Sequence, residues 1–155
     1  MAAKSDSGEK LIASNKKAFH DYFVLQKFEA GLALTGTEVK SLRAGRANLK
    51  DSYVAFKDGE AYLLAAHISP YAQGNLQNHE PERARKLLLH RRELEKLHVE
   101  TTEKGLTIIP LRLYFKGSRV KAEIAVVRGK KQYDKRETER AREADREAAK
   151  AMKER

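Results

Sequence analysis

The sequence contains no cysteine and no tryptophan, and only three prolines and two methionines among its 155 residues. Without cysteine there are no disulfides, thiolate zinc sites or thiol nucleophiles, which fits a reducing compartment and a cytoplasmic protein. Long apolar runs are missing as well. Nothing approaches the roughly 18 consecutive apolar residues of a membrane-spanning helix, so no membrane partner is expected. The opening segment from Met1 to Lys10 is polar and lacks the apolar stretch of a secretory signal, so export is not expected. Five histidines, at positions 20, 67, 79, 90 and 98, do not stand at i, i+4 spacing with a carboxylate between them, and no metal or cofactor is expected. Catalytic signatures are absent too: there is no G-x-S-x-G, no Walker loop and no G-x-G-x-x-G. Glu38 and Asp58 read as helix-start and turn residues, and no nucleophile has an evident base, so the chain does not read as an enzyme.

Positive charge is abundant. The chain carries 32 Lys plus Arg against 22 Asp plus Glu, a formal net charge of +10 and a pI near 9.8. Such an excess points to an anionic partner, nucleic acid first.

At this length one moderate core is the natural expectation. Residues 1–15 read as a mobile leader, 16–128 as the folded domain and 129–155 as a basic tail. The apolar, β-branched and aromatic run from Tyr22 to Leu34 predicts two strands meeting at Gly31. Thr37, as an N-cap, and Gly45, as a stop, bracket a short helix. Tyr53–Phe56 and Ala61–Leu64 flank Asp58-Gly59, a tight hairpin turn. Residues 69–82 read as a loop, and Pro81 opens a helix from Glu82 to about His98 with an apolar stripe of Ala84, Leu87, Leu88, Leu94 and Leu97. Two further strands, Leu106–Phe115 and Arg119–Val127, turn at Gly117. Mainly β with helices, the pattern suits a small antiparallel barrel of oligonucleotide-binding (OB) type. From Gly129 onward, 10 basic residues mix with 7 acidic ones and little but alanine. That segment has helical propensity and almost nothing to bury, so it reads as disordered in isolation and helical on a partner.

RNA binding has the best material. Basic residues stand between apolar or aromatic ones at Lys16 and Lys17, at Lys40 and Arg43, and at Arg85 and Lys86. Such cations neutralise phosphates while rings stack on splayed bases. A general OB-fold translation factor and an RNA-processing enzyme are the competing readings at this level.

Seven segments in order resemble the small protein B (SsrA-binding protein) family. They are Asn15-Lys16-Lys17-Ala18 with His20 and Tyr22, Glu29 to Leu34, Gly36 to Arg43, Asp51-Ser52-Tyr53, His67 to Tyr71, Arg85 to His90, and Gly129 to Arg136. The resemblance implies a non-catalytic barrel that binds the tRNA-like domain of transfer-messenger RNA (tmRNA) around its D-loop and elbow, and acts as a monomer in trans-translation, the rescue of stalled ribosomes. It implies RNA contacts for Asn15, Glu29, Leu88 and Lys121. His20 is implied to meet small-subunit ribosomal RNA in the decoding centre. Gly129, Lys130, Lys131, Tyr133, Asp134, Lys135 and Arg136 are implied to enter the empty mRNA channel. Position 133 is Tyr where the family also has His, which leaves a ring for stacking but no imidazole.

Overall fold

The computed structural model describes residues 9–72 and 78–130. In chain order the elements are β1 (Glu9–Ser14), α1 (Lys16–Asp21), β2 (Tyr22–Leu32), α2 (Gly36–Arg43), β3 (Ala47–Asn48), β4 (Tyr53–Lys57), β5 (Glu60–Leu64), β6 (His67–Ile68), β7 (Arg85–Leu88), α3 (Arg91–Thr102), β8 (Thr107–Lys116) and β9 (Arg119–Gly129). Seven strands form one antiparallel sheet in the order β1-β8-β9-β2-β7-β5-β4, and β3 pairs with β6. The end strand β4 packs back against β8, which curls the sheet into a barrel, as the expected fold class requires.

Alternation builds the core. Along β9, Val120, Ala122, Ile124 and Val126 point inward and meet Leu113 and Ile108 of β8, Ala30 and Leu32 of β2, Leu63 of β5 and Leu97 of α3. The Asp58-Gly59 hairpin is present, with φ of 53° and 78°, the left-handed pair that a two-residue turn between twisted strands demands.

Four expectations are corrected. Residues 9–14 of the supposed leader 1–15 form β1, paired antiparallel with β8 from Glu9↔Lys116 to Ser14↔Arg112; only the stretch before residue 9 lies outside the described residues. Lys16–Asp21, to which the sequence assigns no element, is a helix that seats Ala18 on a second, smaller apolar cluster with Ile109, Leu111, Ala125 and Val127. Tyr22–Leu32 is one strand, with Gly31 inside it rather than at a junction. The helix expected from Glu82 to His98 is split: Arg85–Leu88 is a strand, and the helix starts at Arg91 with His90 as its N-cap. Arg85 and Leu87 are buried while Leu88 is exposed, a period of two that four residues are too few to reveal against the helical spacing of the leucines. The N-cap of α2 is Thr35, two residues before the expected Thr37, and Glu38 completes a capping box with it.

Candidate RNA interface

Three strands bring the predicted residues together. In the ladder, Gly31 of β2 stands opposite Lys121 of β9 on one side and Leu88 of β7 on the other. Glu29 lies two residues along β2, hence on the same outward face. Leu88 is 52% exposed, far from the core position its helical reading assigns. It forms a ridge between two concavities. One, about 570 Å³, is lined by Glu29, Lys86, His90, Arg91 and Lys121 among others. The second, about 420 Å³, is lined by Leu34, Val39, Arg119 and again Lys121. A Cβ on Gly31 would come within 3.2 Å of the Leu88 Cβ, so glycine there lets the leucine lie across the strand.

Glu29 is a held carboxylate. It accepts a short hydrogen bond from the Tyr114 hydroxyl and faces Lys116 Nζ at 3.4 and 3.5 Å. The Tyr114 bond, then Lys116, outweigh partial burial and keep the Glu29 carboxyl below its usual range. Burial and the neighbouring carboxylate push the Tyr114 phenol upward, so it stays a donor at neutral pH. The Arg112 guanidinium sits 4.3 Å from the Tyr114 ring centroid and is tied to Glu9 at 3.3 Å and Glu123 at 3.4 Å. Sequence reasoning missed Arg112, Tyr114 and Lys116; their signal is a cation-ring-cation alternation along the outward face of β8.

Arg85, expected to contact RNA, is corrected: it does not reach the surface. It is fully buried, donating to Glu38 Oε2 at 2.6 Å and to the Ala66 and Pro81 carbonyls at 2.7 and 2.9 Å. Its neighbour Lys86 points outward, 3.8 Å from Glu60. Asn15 is buried too: its Nδ2 donates to the Pro110 carbonyl at 3.1 Å and locks the β1–α1 corner. Lys16 and Lys17 are exposed on α1, Lys17 lying 3.9 Å from Asp21. His20 is 86% exposed at the side chain and lies 3.1 Å from Asp21. On α2, Lys40 lies over the Tyr71 ring at 5.5 Å, and Arg43 is exposed.

Gly129 closes β9. Lys130 turns back toward α1 and donates to the Phe19 carbonyl at 3.2 Å, with its ammonium 5.2 Å from the Phe23 ring. Lys130, the last described residue, therefore lies against α1 at the residue preceding His20. Lys131, Tyr133, Asp134, Lys135 and Arg136, with the expected disorder and induced helix, lie outside the described residues. Among the described residues no group of His, Asp and Glu is arranged to hold a metal ion, and no helix is long and apolar enough to cross a membrane.

A family model described as SmpB protein matches residues 12–154, from the second half of β1 to the end of the tail. The chain belongs to that family. It is 57% identical over 145 residues to the SsrA-binding protein of Carboxydothermus hydrogenoformans, covering 94% of this chain and 97% of the relative. It is 56% identical over 148 residues to the SsrA-binding protein of Geobacter metallireducens, covering 96% and 97%. A solved structure described as "tmRNA-SmpB: a journey to the center of the bacterial ribosome" superposes with a TM-score of 0.65 at 47% identity, over 76% of this chain and 83% of the other. Family membership and the barrel agree with the resemblance read from the seven segments.

Proposed function

We propose that the protein binds tmRNA and brings it to stalled bacterial ribosomes, acting by binding alone, without catalysis, in the cytoplasm. SsrA-binding relatives over nearly the whole chain and a structural neighbour from a tmRNA-SmpB-ribosome setting support tmRNA and the ribosome as partners. The observation that carries the site is Leu88: a large apolar side chain left half in water on a short internal strand, with the Glu29 carboxylate and the Lys121 ammonium lining the cavity beside it. Exposed apolar surface of that kind marks a contact. An unstacked base packs against Leu88, Glu29 accepts from an exocyclic amino group, and Lys121 and Lys86 meet phosphate. Lys16, Lys17, Lys40 and Arg43 extend the basic surface around it. Asn15 acts through the corner it locks, while His20 on α1 and the tail from Gly129 face the ribosome.

Titrating the tRNA-like domain of tmRNA and an ordinary tRNA at two salt concentrations tests this reading. Preference for tmRNA that persists at the higher salt is expected, because contacts to bases and shape do not depend on counterion release. Equal and steeply salt-sensitive binding to both would reduce the interface to unspecific charge.

A further inference from the structure

The outward face carries a chain of contacts that runs from β1 and β9 through β8 and ends on Glu29 of β2. Glu9 of β1 and Glu123 of β9 clamp Arg112 of β8 from two sides. Arg112 lies against the ring of Tyr114, which is 2% exposed. The Tyr114 hydroxyl ends the chain on Glu29 of β2. Three strands converge on a ring, and the ring presents one donor to one carboxylate.

Glu29 needs that donor. Its side chain is 38% exposed, and its other partner, Lys116, is a point charge on a four-carbon stem, 46% exposed and 3.4 Å away. A lysine of that kind attracts a carboxylate without fixing its direction. The phenol does fix it, because a packed ring holds its hydroxyl oxygen in one place and the single proton it donates turns only about the C–O bond.

We propose that Tyr114 is a positioning residue for RNA recognition: its hydroxyl holds Glu29 in the orientation that leaves the carboxylate's remaining lone pairs turned to the cavity beside Leu88 and Lys121. There they accept the amino group of an unstacked guanine or cytosine. The inference rests on the reading that Glu29 contacts RNA, and it assigns Tyr114 a role that needs no RNA contact of its own.

Tyr114→Phe removes the donor and keeps the ring, its packing and its stacking with Arg112. The full-length protein, Tyr114→Phe, Glu29→Gln and the double variant are titrated with the tRNA-like domain of tmRNA at one salt concentration. Each single substitution is expected to weaken binding about tenfold, the low end for a hydrogen bond to a charged group, and the double variant is expected to bind no more weakly than Glu29→Gln. The Glu29 carboxyl, followed by carbon NMR without RNA, is expected to titrate higher in Tyr114→Phe. Normal affinity of Glu29→Gln would remove the Glu29 reading and the inference with it. Weak binding by Glu29→Gln with normal binding by Tyr114→Phe would overturn the inference alone. Losses that multiply in the double variant, or an unmoved Glu29 titration, would overturn it as well, since both describe a hydroxyl that acts independently of Glu29.

Discussion

Glu38 joins the most heavily bonded cluster of charged side chains among the described residues, with Arg83 and Arg85, and Glu38→Gln measures what it contributes. The carboxylate is fully buried at the start of α2. It accepts from the Thr35 backbone N–H at 2.8 Å, from Arg83 at 2.6 Å and from the fully buried Arg85 at 2.6 Å. Glutamine preserves the volume and an oxygen for Thr35 but leaves two guanidinium groups facing a neutral amide. Breaking a buried pair by neutralising one partner costs about 3–5 kcal/mol. A second route gives a similar figure. Burial alone would raise the Glu38 carboxyl, but the bonds from Arg83, Thr35 and Arg85 overcome it and hold the group at about 2, against 4.5 for the free residue. That difference corresponds to about 3 kcal/mol. Against a total of about 5–15 kcal/mol for a domain, this is a large share. Urea unfolding at pH 7 is expected to show the loss as a lower midpoint at unchanged slope. Because the folded-state value is depressed, the contribution is complete above pH 4.5 and disappears as pH falls toward 2. The gap between parent and variant is therefore expected to close over that window. A loss below about 1 kcal/mol at pH 7, or a gap that persists at pH 2, would refute the reasoning.

Leu88→Ala is expected to leave the melting temperature nearly unchanged, since the side chain is half exposed, and to weaken binding of the tRNA-like domain about tenfold, as the loss of most of one buried leucine predicts. Lys121→Ala is expected to weaken binding at low salt and reduce the slope of log affinity against log salt by about 1; an unchanged slope would place the lysine off the phosphates. Truncation after Lys130 is expected to retain tmRNA affinity and abolish tagging on stalled ribosomes, and loss of both would contradict a division between barrel and tail. The cut belongs there rather than at the expected boundary after residue 128, because Gly129 still pairs with Tyr22 in the β2–β9 ladder.

The elements legible in the sequence are those whose pattern is local. Asp58-Gly59, the alternation from Val120 to Val126, and Gly117 between two strands need no knowledge of the rest of the chain. β7 is not of that kind. Four residues of strand buried between β2 and β5 carry leucines at a spacing that also fits the helix following them, and only the partner strands decide. β1 is illegible for a related reason: as an edge strand it buries little, and Ile12 and Ala13 are its contribution to the core. In the candidate site, single residues such as Glu29 and Lys121 could be singled out from the sequence, whereas relations between residues could not. Arg85 looks like any other arginine until Glu38, 47 residues away, is placed against it. Tyr114 looks like a core aromatic until its hydroxyl is found on Glu29.

One feature of the barrel explains why the open surface lies where it does. Irregularities interrupt β2 between Val24 and Gln26 and β8 between Pro110 and Arg112, and β-bulges of this kind bend a strand and shift its register. On one side of these points the outward positions are apolar: Tyr22 and Val24 on β2, Ile109 and Leu111 on β8, Ala125 and Val127 on β9. Ala18 brings α1 down onto them as a second small cluster on the face opposite the main core. On the other side the same face carries Lys27, Glu29 and Gly31, then Arg112, Tyr114 and Lys116, then Lys121 and Glu123. Here α1 reaches only the Lys27 ammonium, 5.9 Å from the Phe19 ring, and α3 only borders the cavity beside Glu29; charges satisfy one another across strands instead. The change from apolar to charged at the same depth in three neighbouring strands thus separates a half that binds its own helix from a half left open. Leu88 is the large apolar side chain standing at the border of that open half. Half of its side chain is left in water, and that is the surface the proposed unstacked base would cover.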